Sequence, residues 1–136
     1  MHDFAKQAAN VYRQTEVQSR TPLELVTMLY DGALRFIAQA RDALERKDIR
    51  ARRDAITRAL SVISELQSTL DMEKGGVIAE KLDGLYVYIN GRLIEATNKQ
   101  DPRPLDEAAR LMTTLRGAWA EVARETAATA PERAMR

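Results

Sequence analysis

One histidine, His2, and no cysteine are all that this 136-residue chain offers to chemistry that needs an imidazole or a thiol. A di-metal site in a helical protein draws on carboxylates and an inward-facing Glu-x-x-His pair. His2 stands at the very start of the sequence, and no Glu-x-x-His, Gly-x-x-x-x-Gly-Lys or Gly-x-Ser-x-Gly pattern occurs. The chain is therefore expected to have no catalytic residues, no metal and no cofactor, and not to be an enzyme. Gly75-Gly76 could present free backbone N–H groups to an anion at a helix start. A tight turn that needs positive φ is the commoner use of such a pair. Arg50, Arg52, Arg53 and Arg58 form a basic cluster, but Asp48 and Asp54 interrupt it, and it reads as solvated helix surface. Lys and Arg number 21 against 20 Asp and Glu, a net charge of +1, so no nucleic-acid partner is expected.

Residues that could bind rather than react are more plentiful, and helices must position them. Hydrophobic residues make up 45% and charged residues 30% of the chain, a balance that suits a globular domain and not a disordered one. Thr21-Pro22-Leu23-Glu24 reads as a helix start, with a capping hydroxyl, a proline at the first helical position and an acid placed to reach back. Val26, Tyr30, Ala33, Ile37, Ala40 and Leu44 then recur at steps of three and four, with Leu25, Leu29 and Phe36 as a second stripe beside them. Gly32 lies inside this helix, which should end near Lys47-Asp48. A second helix spans residues 49–70, and residues 71–76 form a loop. A third helix covers residues 77–97, with Ile78, Leu82, Leu85, Ile89, Leu93 and Ala96 on one face. After a break at residues 98–104, Leu105, Ala108, Met112, Leu115, Trp119 and Val122 mark a fourth.

The fold class implied is all-α, an antiparallel four-helix bundle. Residues 1–20 make a short, partly helical or mobile arm outside the core, residues 21–126 the bundle, and residues 127–136 a flexible tail. The start of the chain lacks the apolar run of a secretory signal, and no window approaches the ~20 apolar residues of a membrane span. A cytoplasmic protein without membrane insertion is expected.

The first and third helices are more apolar than a closed bundle needs. Besides its main stripe, the third carries Val77, Tyr86, Val87 and Ile94. Surplus apolar faces are natural seats for an amphipathic partner helix. Tyr86 reads as a groove wall and Tyr88 as a surface residue, while Trp119 is either core or a partly exposed anchor.

Taken together, these segments resemble the flagellin-specific export chaperone family, FliS, over residues 11–122. Tyr12-Arg13-Gln14 is similar to the family's Tyr-x-Gln element. The stretch Pro22-Leu23-Glu24-Leu25-Val26-Thr27-Met28-Leu29-Tyr30-Asp31-Gly32-Ala33 is similar to its most recognisable motif. Leu70-Asp71, Gly75-Gly76-Val77-Ile78-Ala79, Leu85-Tyr86 and Ala118-Trp119 follow at fitting distances. Val87 replaces a frequently acidic position, and Gly117 is unusual inside a helix.

The resemblance implies a cytoplasmic chaperone that wraps the disordered C-terminal region of flagellin in apolar inter-helix grooves. It would prevent premature polymerisation and assist export through the flagellar type III secretion system. Groove residues on this reading are Leu29, Tyr30, Ile63, Leu66, Tyr86, Ile89 and Trp119. An N-terminal lid would use Val11, Tyr12 and Val17, and deleting residues 1–19 should leave the fold intact while tightening or speeding client binding. Whether the export gate or a flagellar regulator also binds is left open. Rival readings are a helical enzyme or metal protein, a self-associating bundle, and an adaptor for a different client.

Overall fold

A computed structural model describes residues 10–13 and 22–134, with side chains described as far as Glu125. Among these residues the chain forms four helices: α1 (Pro22–Glu45), α2 (Ile49–Ser68), α3 (Met72–Asn98) and α4 (Arg103–Ala134). The main stripe of α1 is buried as its spacing requires, with Leu23, Val26, Tyr30, Ala33, Ile37, Ala40 and Leu44 all facing inward. Lys47 takes a left-handed turn at φ 58°. Asp48 then caps α2 by accepting from the Ala51 N–H at 3.0 Å.

The stretch between α2 and α3 is tighter than the loop read from the sequence. Asp71 caps α3 through the Lys74 N–H at 2.9 Å. One helical turn follows, and the backbone breaks only at Gly76, with φ 52° and ψ −130°. A side chain would be strained there, so the second glycine meets the need for positive φ. At the other end of the chain, α4 continues to Ala134, past the boundary drawn at residue 126. Thr126-Ala127-Ala128-Thr129-Ala130 is alanine-rich, and alanine is the strongest helix former. The capping role expected of Thr21 falls outside the described residues.

Each helix packs on its sequence neighbours, and α4 closes the ring against α1. The inward stripes merge into one core cluster, in which a fully buried Leu or Ile contributes roughly 1.5–3 kcal/mol. Ion pairs on the rim hold the register: Arg116 to Asp31 at 2.7 Å and Arg41 to Asp106 at 2.9 Å join α4 to α1. Arg92 to Glu107 at 3.0 Å joins α3 to α4. Such exposed pairs are worth little each.

Two placements depart from the sequence reading. Arg52 is only 3% exposed, not solvated with its basic neighbours. Its guanidinium donates to Gln100 Oε1 at 2.7 Å and to the Thr97 carbonyl at 3.1 Å. Gln100 in turn donates to the Leu44 carbonyl at 2.6 Å. The negative end of the α3 dipole and its free carbonyls stand in for a carboxylate partner. The second departure is the arm. Val11 (0%) and Tyr12 (3%) belong to the core cluster, where the sequence placed residues 1–20 outside it.

Candidate functional site

Four residues at one end of the bundle build the site from the backbone up. The Val11 carbonyl accepts from the Asp71 N–H at 2.6 Å, and the Arg13 N–H donates to the Thr69 carbonyl at 3.1 Å. This pairs Tyr12 antiparallel with Leu70 in an isolated bridge. Thr69 and Asp71 are available because α2 has just ended and α3 is just starting, where backbone groups lack helical partners. Gly75 makes room for the approach. A Cβ there would stand 2.7 Å from the Ala79 Cβ and 3.1 Å from the Val11 Cα.

Held this way, the Tyr12 ring enters the bundle. It meets Trp119 edge to face, with centroids 5.3 Å apart and planes at 70°, a favoured aromatic geometry. Its hydroxyl lies 2.6 Å from that of Tyr86, which in turn pairs with the Tyr30 hydroxyl. The result is a buried chain of three phenols drawn from the arm, α3 and α1. Burial pushes all three well above the usual phenol range, and neighbouring phenols add to the rise. Three neutral hydroxyls that satisfy one another form a plug with fixed geometry.

Beside the plug runs an open groove of about 480 Å³ between α1 and α2. Leu25, Met28, Leu29, Phe36 and Val62 form its apolar wall, and Tyr12 closes one end. Arg35, Glu65 and Arg13 supply the polar rim. The Arg35 guanidinium also lies 5.7 Å from the Phe36 ring centroid. An apolar trough with a charged rim suits an amphipathic helix.

The residues singled out from the sequence divide between groove and interior. Leu29 lines the groove and is half-buried. Tyr30, Ile63, Leu66, Tyr86, Ile89 and Trp119 are all buried in the core cluster. Tyr12 covers three of these aromatics' end of the bundle, Val11 sits with it, and Val17 lies outside the described residues. The groove residues not singled out were Leu25, Met28, Phe36 and Val62. The signal for two of them was present in the second stripe of α1. On α3 the second row is Val77, Val87 and Ile94, all exposed, whereas Tyr86 turns inward. Tyr88 is on the surface as expected, where its hydroxyl donates to Glu107. Among the described residues no group of metal-binding side chains occurs, and no helix is long and apolar enough to cross a membrane.

The fold and this site define a helical bundle with an apolar trough next to a tyrosine plug that Tyr12, from the N-terminal segment, completes. The sequence model of the flagellar protein FliS matches residues 4–126. The flagellar secretion chaperone FliSB of Pseudomonas aeruginosa is 35% identical over 120 residues, covering 85% of this chain and 95% of that protein. The flagellar secretion chaperone FliS of Salmonella typhimurium is 36% identical over 118 residues, covering 86% and 87%. Its Bacillus subtilis counterpart is 34% identical over 108 residues, covering 79% and 80%. The chain belongs to the FliS family.

Proposed function

We propose that the chain is a cytoplasmic chaperone of flagellar secretion, not an enzyme, and that its client is the C-terminal region of flagellin. The relatives' names support the chaperone role. The observation that carries the binding mode is the apolar groove between α1 and α2, which opens directly onto the tyrosine plug. The client lays short amphipathic helices into apolar grooves, so that it cannot polymerise early and stays unfolded enough for type III export. Ordering the client reduces net affinity, which favours later release.

On this reading Val11 and Tyr12 act as a lid. Leu29 meets the client first. Tyr30, Tyr86 and Trp119, followed by the deeper row of Ile63, Leu66 and Ile89, become accessible only when the lid withdraws. Phenol hydroxyls released from the plug are then free to bond client backbone.

The test is calorimetric titration of the chain with a peptide covering roughly the last 40–50 residues of the same organism's flagellin, since a coupled-folding interface of that size has a clear heat-capacity signature. Saturable binding, a negative heat-capacity change and a gain in helicity are expected. A flat titration with the bundle folded would remove flagellin as the client and favour a different polypeptide.

A further inference from the structure

Gly32 stands in the middle of α1 and lines the groove between α1 and α2. Its backbone is ordinary helix, since positive φ occurs among the described residues only at Lys47 and Gly76. A Cβ at Gly32 would meet one atom within 4 Å among the described residues, a guanidinium nitrogen of Arg35 at 3.9 Å. That is ordinary van der Waals contact. Gly75 differs, because a Cβ there would stand 2.7 Å from the Ala79 Cβ. Glycine inside a helix is less stable than alanine, and at Gly32 neither backbone conformation nor a crowded neighbour accounts for it. What the missing side chain leaves is bare backbone on the groove floor. Another chain can come closer to α1 there than the roughly 8–10 Å that usually separates packed helices.

The same turn of α1 carries a cation of the groove. The Arg35 guanidinium reaches back toward Gly32 and lies 5.7 Å from the Phe36 ring centroid. Arg41, further along the helix, pairs with Glu45 and Asp106. Arg35 has no carboxylate partner among the described residues. A guanidinium resting beside a ring and apolar side chains offers its flat fork to a carboxylate. We propose that Gly32 and Arg35 set the register of the client: its helix crosses α1 with a small residue over Gly32, and Arg35 holds an aspartate or glutamate of the client. This rests on the flagellin-chaperone reading above and adds the turn of the groove that fixes where the client lies. The apolar wall alone is non-directional and accepts an amphipathic helix in several placements. A point of close approach next to a fork-shaped donor admits one of them and penalises its neighbours.

Thermal unfolding of the full chain, together with calorimetric titration by the flagellin C-terminal peptide, tests this. Gly32→Ala should raise the thermal midpoint by a few degrees, because alanine favours the helix. Its dissociation constant for the peptide should nevertheless rise at least ~10-fold, since the methyl group holds the client off α1. A glycine that served only the fold would not move the two readouts in opposite senses. Arg35→Gln should weaken binding roughly 5- to 20-fold, and Arg35→Lys, which keeps the charge without the fork, should recover only part of that. Among peptides with each Asp or Glu changed singly to its amide, one should bind the unaltered chain weakly yet lose little more against Arg35→Gln. Peptide binding that is indifferent to Gly32→Ala would overturn the register and leave the flagellin reading standing. A Gly32→Ala chain that loses stability and binding together would also overturn it, as the glycine would then serve the fold. Strict additivity of Arg35→Gln with every acidic substitution would overturn the carboxylate contact. No binding to the unaltered chain would remove the flagellin reading and this inference with it.

Discussion

Where α1 and α3 end, the bundle is sealed by side chains reaching between its own helices; where they begin, it relies on residues 11–13. At the first end Arg52, Gln100 and the carbonyls of Thr97 and Leu44 form one network linking α1, α2 and the loop after α3. Every member belongs to a helix of the bundle or to the link between α3 and α4. At the second end Tyr12 fills a comparable position, but it enters from the N-terminal side and is held by two backbone hydrogen bonds, one phenol contact and an aromatic edge. The first seal cannot leave without unfolding. On the proposed lid reading the second leaves as a unit, and the groove adjoins that end. If the proposal holds, the difference locates where a folded bundle opens for a client.

The largest effect is expected from the permanent seal. Arg52→Ala removes two charge-assisted hydrogen bonds, to Gln100 Oε1 and to the Thr97 carbonyl, and empties the buried space its side chain fills. The loss should be about 3 kcal/mol in chemical denaturation. The flagellin-peptide affinity of the folded fraction should not change. A variant that loses client binding in parallel with stability would show that the two ends are coupled, which would break the comparison.

The elements of the bundle were largely legible in the sequence because helical burial repeats in the order of residues. The stripes of α1 and α4 needed no knowledge of their neighbours. Neither seal was legible in that way. Arg52 looks like its solvated neighbours Arg50 and Arg53 until the end of α3, about 45 residues later, supplies the carbonyl that makes burial tolerable. Val11 and Tyr12 sit in a segment too short to show a period, and their burial depends on Gly75 and on the ends of two helices. The groove was half visible in Leu25, Leu29 and Phe36. Which apolar positions face it and which face the core is decided by helix rotation, and on a wide stripe the sequence does not fix that.

A smaller effect separates the removable seal from its own residues. Gly75→Ala deletes nothing from the arm, yet its Cβ would crowd Val11 and Ala79. Stability should fall by about 2 kcal/mol. Trp119, the chain's one tryptophan, should report loss of the Tyr12 ring as a fluorescence change. The flagellin peptide should bind faster or more tightly than it does to the unaltered chain. Unchanged fluorescence together with lower stability would mean that the helix start has yielded and the arm has not, and the lid would lose its support.

The smallest effect concerns the hydroxyl of Tyr12. Tyr12→Phe keeps the ring against Trp119 and leaves Tyr86 its bond to Tyr30, so the cost should be about 1 kcal/mol. Alkaline titration gives a sharper readout. Phenols whose folded pKa is raised above the unfolded value of about 10 favour the fold fully below that pH. Their contribution disappears as pH rises through the folded values. Tyr12, Tyr30 and Tyr86 are raised chiefly by burial, and Tyr88 is raised by its hydrogen bond to Glu107. These are all four tyrosines in the chain. Phenolate absorbance from the three buried tyrosines should therefore be absent near pH 10 and appear together with loss of helicity, whereas the exposed Tyr88 can ionise with the helices intact. In Tyr12→Phe, Tyr86 loses the nearby phenol that helps hold it protonated, and the alkaline transition should move to lower pH. In a Tyr88→Phe background, a phenol that titrates normally near pH 10 while the helices persist would place Tyr12 outside the plug, and the bundle would then have one seal and one open end.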